Sequence, residues 1–378
     1  MARRLVLHVG AMKSGTSFVQ HVLTTNAERL RDHGVLWPGR TWWDQVGAVL
    51  ELIEHGSEGQ EPFADDGPWR RLVDEVHAWD GDAVVSMEFL GPRNADKIRL
   101  VLDAFGDTDV RVVVTARDLP RQLPAMWQES VQNGGQHSWP EYVEAVRAFP
   151  KQVSKPGRSF WRQQGVAETV RRWTEAVGRD RFTLVTVPPP GSPPGELWDR
   201  FTEATGLPAG VCEVEGPRNA SIGTASAMVL RDLNRRLGDR LTRHEYDVVV
   251  KYGLAKTALS GRDEPKVGFD EAWLRERAQR QVRRLRDLDP HVVGDLADLE
   301  PRPVPGVAFA DLDVAGRLDA ATDGLAHLVD LACSQRRDIK ELRRDVKALR
   351  RKVRRRDAEL ARLRGAAGPG PLAAGTED

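Results

Sequence analysis

The chain has 378 residues, 30% of them charged and 40% hydrophobic, with 56 basic and 56 acidic side chains in balance. That length allows one large or two ordinary domains with a full core, and balanced charge argues neither for nor against a nucleic-acid partner. Cys212 and Cys333 lie far apart without ligand-like spacing, so neither a disulfide framework nor a structural zinc is expected, and a reducing cytosol is.

The first ten residues, MARRLVLHVG, carry two arginines but only a five-residue run, Leu5 to Val9, too short for a secretory signal. No apolar run is long enough to span a bilayer, and the expectation is a soluble cytoplasmic protein. Leu5 to Val9 is β-rich and ends at Gly10; an amphipathic stretch follows from about Thr16 to Arg31. VLWPG (Val35 to Gly39) and AVVSMEF (Ala83 to Phe89) are further strand candidates. VRVVVTARD (Val110 to Asp118) is the clearest strand, continuously apolar as a strand covered on both faces should be. Helical patterns run from Arg121 to Gln132 and from Val166 to Val177, and FTLVTV (Phe182 to Val187) is a strand stopped by three prolines. Helices then dominate, around Leu197 to Thr205, Ser226 to Leu237 and Glu271 to Leu288. Short buried strands alternating with helices predict an α/β fold of the P-loop type, a mostly parallel sheet with helices on both faces.

These elements place one domain at residues 1–299. EPRPVPGVAFAD (Glu300 to Asp311) is proline-rich and reads as the start of a linker over 300–324. Residues 325–364 are basic and heptad-periodic, and 365–378 are Gly, Ala and Pro-rich, a composition expected to be disordered. With Ile339, Val346, Val353 and Leu360 at a, the d sites are Leu342, Leu349, Arg356 and Leu363, so seven of eight seam sites are apolar. Leu325 and Leu328 open the same register. Mostly β-branched a residues with leucine at d predict a parallel homodimer. The g-to-e pairs across such a dimer, Asp338–Arg343, Asp345–Arg350, Lys352–Asp357 and Glu359–Arg364, are all of opposite sign. A basic solvated helix making weak contact with an anionic membrane surface or a nucleic acid is the alternative for this segment.

The stretch HVGAMKSGTS, residues 8 to 17, nearly fits the nucleotide-triphosphatase loop G-x-x-x-x-G-K-[ST]. Gly10, Gly15 and Ser17 fall on the template, but Thr16 stands where the lysine belongs and the lysine is Lys13. A loop between strand and helix aims backbone N–H groups at one spot, and the helix dipole adds positive potential, so phosphate or sulfate is the natural guest. A lysine at the triphosphatase position reaches β- and γ-phosphates; one in the loop's crown suits a bridging oxygen on a shorter phosphate.

HVGAMKSGTSFVQHVLTTNAERLRDHGVLWPG resembles the 5′-phosphosulfate loop of sulfotransferases that use 3′-phosphoadenosine 5′-phosphosulfate (PAPS), most like the bacterial carbohydrate and small-molecule branch. The resemblance implies that Lys13 stabilises charge on the oxygen joining sulfate to the 5′-phosphate. It implies that Ser14, Gly15, Thr16 and Ser17 hold that phosphate, with no metal needed. It further implies that Arg117, ending a central strand, binds the 3′-phosphate through the guanidinium fork. The family's serine eight residues on is Ala125 here, with Gln122, Gln128 or Ser130 as possible replacements; Arg121 reads as a solvent-facing charge. Ser-Met-Glu at 86–88 matches the bacterial Ser-x-Glu, making Glu88 the candidate base, with a pKa that burial would raise. His8, inside the first strand, reads as a core histidine. GPRNASIG (Gly216 to Gly223) resembles a late Arg-x-Asn-x-Ser segment, offering Arg218 and Ser221 to the adenosine side or merely a helix cap. Trp42 and Trp43 fall in a loop after the second strand, suited to stacking on an acceptor or to ordinary packing.

Three functions compete at this point. The first is sulfuryl transfer from PAPS to a hydroxyl of a carbohydrate, glycolipid or small metabolite. The others are a kinase with a deviant P-loop and a non-catalytic scaffold oligomerised by its coil.

Overall fold

The run before Gly10 forms β1 (Arg4–His8), whose side chains alternate between two cores: Leu5 and Leu7 enter one, Val6 the other. A computed structural model describes residues 2–54, 66–214, 221–312 and 314–366. The amphipathic stretch after β1 is two helices, α1 (Thr16–Thr25) and α2 (Ala27–Asp32). It breaks at Asn26, whose side chain turns onto the carbonyls of Val22 and Glu213, both at 2.9 Å.

Only Val35–Leu36 of the VLWPG segment is strand, β2. The tryptophans placed in a loop instead open α3 (Trp42–Glu54), because Thr41 and Asp44 form a start signal: the Asp44 carboxylate accepts the Thr41 N–H at 2.9 Å. Then come α4 (Pro68–Ala78), β3 (Asp82–Ser86), α5 (Ala95–Ala104), β4 (Asp109–Ala116), α6 (Leu119–Gln132), α7 (Trp139–Ala148), α8 (Lys155–Gln164), α9 (Val166–Val177), β5 (Phe182–Thr186), α10 (Glu196–Thr205) and α11 (Thr224–Leu237). A single turn, α12 (Arg243–Glu245), runs into a π-helical segment (Tyr246–Ala255), followed by α13 (Ala272–Leu288) and β6 (His291–Val293).

All pairings in the described sheet are parallel and its order is β2-β3-β1-β4-β5-β6. Helices cover both faces, and the fold is α/β. β3 and then β2 lie on one side of β1, and β4, β5 and β6 lie in order on the other; the chain leaves β1 for β2 on one side and β4 for β5 on the other. The gap between β1 and β4 is therefore a switch point, where ligands of open parallel sheets sit beyond the carboxyl ends.

The chain divides into two units, Met1–Leu318 and Asp319–Asp378. The 300–324 linker is corrected by the structure. Val304 and Val307 pair with Phe269 and Val267, and the Phe309 ring packs edge-on to Trp127, so these apolar residues belong to the first unit. A helix, α14 (Val314–Ala366), already begins inside the stretch read as linker. Its seam residues stand in water, among them Ile339 and Val346, each about half exposed. The tail from 367 lies outside the described residues.

Candidate functional site

The loop after β1 stays attached to β4 beyond the end of β1, with Ala11 N–H donating to Thr115 O at 2.8 Å and Thr115 N–H to Gly10 O at 2.6 Å. It then turns through positive φ at Lys13 (62°) and Gly15 (82°). Left-handed residues among right-handed ones turn successive N–H groups inward, which makes an anion-binding concavity. Gly15 caps α1 without any side-chain hydrogen bond, and its carbonyl accepts the Phe18 and Val19 N–H groups at 3.0 and 3.1 Å, which leaves the Thr16 and Ser17 N–H groups of the first turn without an acceptor from the cap. Two buried glutamines brace the loop from behind. Gln164 donates to Met12 O at 3.1 Å, and Gln122 donates to the Ser14 hydroxyl at 2.7 Å. Ser14 and Thr16 are buried, while Ser17 is exposed.

Glu88 lies two residues past the end of β3, beside this loop. A methyl group at Gly10 would stand 3.3 Å from Glu88 Cα and Cβ, so glycine there permits the approach. Gln20, on the inner face of α1, donates to Ser86 O at 3.1 Å and to Glu88 Oε2 at 2.9 Å, so one amide ties the strand end to the carboxylate. Burial pushes the Glu88 pKa up against a main-chain hydrogen bond, the Gln20 bond and the Lys13 charge, and burial wins. Lys13 is thus within electrostatic reach of Glu88.

The Lys13 ammonium itself donates to Glu129 Oε2 at 2.6 Å. Burial opposes ionisation of Glu129, but Lys13, by charge and hydrogen bond, outweighs it and holds the carboxyl down at about 2. Lys251 lies 3.6 Å from the other oxygen, which also accepts from Asn133 Nδ2 at 2.7 Å. Glu129, Lys251 and Gln20 were not found by reading the sequence, although one signal was present. Gln122, Ala125 and Glu129 follow helical spacing along α6, and Gln122 and Glu129 both reach the loop, at Ser14 and Lys13.

Arg117 follows the last residue of β4. Its guanidinium donates to Arg121 O at 2.9 Å and to Gln122 Oε1 at 3.0 Å, and its buried Nε has no partner. Burial and the neighbouring Arg121 charge lower its pKa to about 10, which leaves it charged at neutral pH. Among the described residues no carboxylate pairs with it, so a bound anion would meet an unfilled donor. Gln122, one of the candidates to replace the family's serine, spans from Arg117 to Ser14. Arg121 is not a free surface charge, since it pairs with the buried Asp118 carboxylate that caps α6.

His8 is fully buried, with Nδ1 2.8 Å from Ser86 Oγ and Nε2 3.1 Å from Thr115 Oγ1. Burial depresses its pKa to about 3, so it is a neutral tie across β3, β1 and β4 rather than a base. Ser221 is exposed and adjoins the Ile222–Ser260 bridge, and no described contact brings it to the loop. It does not cap α11 either: Gly223 holds that position, and Glu264 accepts the Ser226 N–H at 2.9 Å. Arg218 lies outside the described residues. Trp42 packs into the core, whereas Trp43 is half exposed with its ring edge-on to Tyr252 at 5.7 Å.

No protein-family profile and no curated protein matches the chain. Among solved structures, a sulfotransferase from Alicyclobacillus acidocaldarius is 16% identical, covering 76% of this chain and 96% of that one with a TM-score of 0.38. A likeness that loose assigns no residue a role. Among the described residues no helix is long and apolar enough to cross a membrane, and no cluster of His, Cys, Asp or Glu is placed to hold a metal ion.

Proposed function

We propose that the chain transfers a sulfuryl group from PAPS to a hydroxyl of a carbohydrate, glycolipid or small metabolite. The observation that carries this reading is that Lys13 and Glu88 share one electrostatic neighbourhood at the carboxyl edge. A lysine in the crown of the loop after β1 is near enough for its charge to act on a buried carboxylate of raised pKa. In the reaction the acceptor oxygen attacks sulfur in line. An O–S bond forms as the bond between sulfur and the bridging oxygen breaks, and the electron pair stays with the departing bisphosphate. Glu88 takes the acceptor's proton, and its raised pKa makes it a better base than an ordinary carboxylate. Lys13 answers the charge that develops on the bridging oxygen.

The Thr16 and Ser17 N–H groups at the start of α1 suit the 5′-phosphate, with Ser14 to Ser17 around it. The Arg117 guanidinium, with no carboxylate paired to it among the described residues and one step from the loop through Gln122, suits the 3′-phosphate. A kinase reading is poorly served, because the residue at the triphosphatase lysine position is the buried Thr16. We further propose that the exposed seam of α14 pairs with the same seam of a second copy, in parallel.

Titration calorimetry with adenosine 3′,5′-bisphosphate and with ATP tests the donor site, and tight binding of ATP with weak binding of the bisphosphate would overturn it. Mass spectrometry of metabolites and glycolipids from cells with and without the gene, searched for the mass of an added sulfate, identifies the acceptor.

A further inference from the structure

The π-helical segment brings charge to the site that the proposed reaction has not used. Winding with i to i+5 hydrogen bonds is rare and concentrates at functional sites. Here the Lys256 N–H donates to Lys251 O at 3.0 Å, so residues five apart are brought near register along the segment. In an α-helix the same two residues would point about 140° apart. Lys251 reaches Glu129 at 3.6 Å and the Asn133 side-chain oxygen at 2.8 Å. Lys13 and Lys251 share Glu129, and the winding turns Lys256 towards the side of Lys251; the Lys256 pKa is lowered, by burial first and then by the charges of Lys13 and Lys251, in keeping with that placement. The Glu129 carboxylate stands among them, paired with Lys13 and Lys251.

We propose that Lys13, Lys251 and Lys256 form one site for a tetrahedral oxyanion, and that the Glu129 carboxylate occupies it until a sulfate-like anion displaces it from Lys13. Glu129 is suited to this exchange because it does not depend on Lys13 alone. Its other oxygen keeps Lys251 and Asn133 when Lys13 turns away. That the anion is the sulfuryl group being transferred rests on the PAPS reading; the three-lysine site does not. The competing account makes Glu129 a pin that holds the π-helical segment on α6, with no bearing on anions.

The two accounts predict opposite signs. With full-length protein and inorganic sulfate at fixed ionic strength, Glu129→Gln should tighten binding about tenfold, since the cations lose their internal counterion. Lys251→Met and Lys256→Met should each weaken it by about as much. A pin would instead give a lower melting temperature with sulfate affinity unchanged or weaker, and that result overturns the proposal. If Glu129→Gln does not fold, the two lysine variants decide, and sulfate affinity unchanged in both overturns it as well. The same titrations with adenosine 3′,5′-bisphosphate separate this proposal from the donor reading. Sulfate responses as expected without bisphosphate binding uphold the site and remove the donor; turnover of PAPS with sulfate binding indifferent to all three substitutions does the reverse.

Discussion

Glu88→Gln isolates the proposed base with little collateral change. The replacing amide has the same shape, and its oxygen still accepts the Gln20 hydrogen bond, now 2.9 Å to Oε2. General-base catalysis contributes about 10²–10⁴-fold, which at 1.36 kcal/mol per tenfold is roughly 3–5 kcal/mol of barrier. The ground state should move the other way. Burial makes the charged carboxylate costly, so the variant should melt at the same temperature as the parent or slightly higher at neutral pH. Bisphosphate affinity should be unchanged or tighter, because one negative charge has left the neighbourhood of Lys13. The pH dependence carries a second signature. Glu88 must be ionised to accept a proton, so the parent's rate should fall as pH drops through a pKa above the ordinary 4.5, and the variant should lack that limb. Stability runs opposite. The folded carboxyl holds its proton more tightly than the unfolded one, so this group's contribution falls as pH rises from 4.5 through the raised value, and the variant loses that slope as well. The assay is single-turnover transfer to the acceptor found by the mass search, with donor hydrolysis by water as a control. A rate within threefold of the parent, or an acid limb that persists in the variant, refutes Glu88 as the base.

How far the sequence disclosed this site depends on the range of each interaction. The loop from Gly10 to Ser17 is local, so its strand, glycines and helix start are all readable within ten residues. Glu88 and Arg117 were readable because each stands just past the end of a strand, and a parallel sheet gathers those ends along one edge. Glu129 and Lys251 were hidden because neither ends an element. They matter only once α6 and the π-helical segment pack together, and π winding has no simple sequence period to betray it. The two-helix break at Asn26 was missed for a related reason, since its side chain bonds Glu213, 187 residues away. No described contact brings Ser221 to the loop, because its motif supplied residue types without the strand-end position that Glu88 and Arg117 have. The linker was misjudged because proline content speaks of local stiffness and not of what Val304 and Val307 pair with.

The remaining expectations are these. Lys13→Ala should lower turnover about 10²–10³-fold and leave the fold intact by circular dichroism, because Glu129 retains Lys251 and Asn133; near-normal turnover removes the mechanism. Arg117→Ala should weaken adenosine 3′,5′-bisphosphate by about 1.5–3 kcal/mol, and much more than a nucleotide lacking the 3′-phosphate; equal losses by calorimetry show that Arg117 does not read that group. His8, neutral when folded with a pKa near 3, takes up a proton on unfolding below its ordinary 6.5, so stability should fall as pH drops through that window by up to about 1.4 kcal/mol per unit. Urea titrations of His8→Gln should show that slope reduced by one proton, and an unchanged slope refutes the assignment. The last expectation concerns α14, where seam residues such as Val353 and Leu349 are 57% and 58% exposed in the single chain. Burying a Val, Leu or Ile fully is worth about 1.5–3 kcal/mol, so covering half of each across seven apolar seam sites outweighs flanking pairs worth a few tenths apiece. Packing would therefore set the strength of the proposed dimer, and the charges its parallel alignment. Leu349→Glu in the full chain should halve the mass seen by light scattering, as should truncation after Leu318, where the first unit ends. With the exposed Cys333 first replaced by serine, Leu349→Cys should cross-link to its own copy in register. An unchanged mass, or cross-links that pair opposite ends of the helix, defeats the parallel coil.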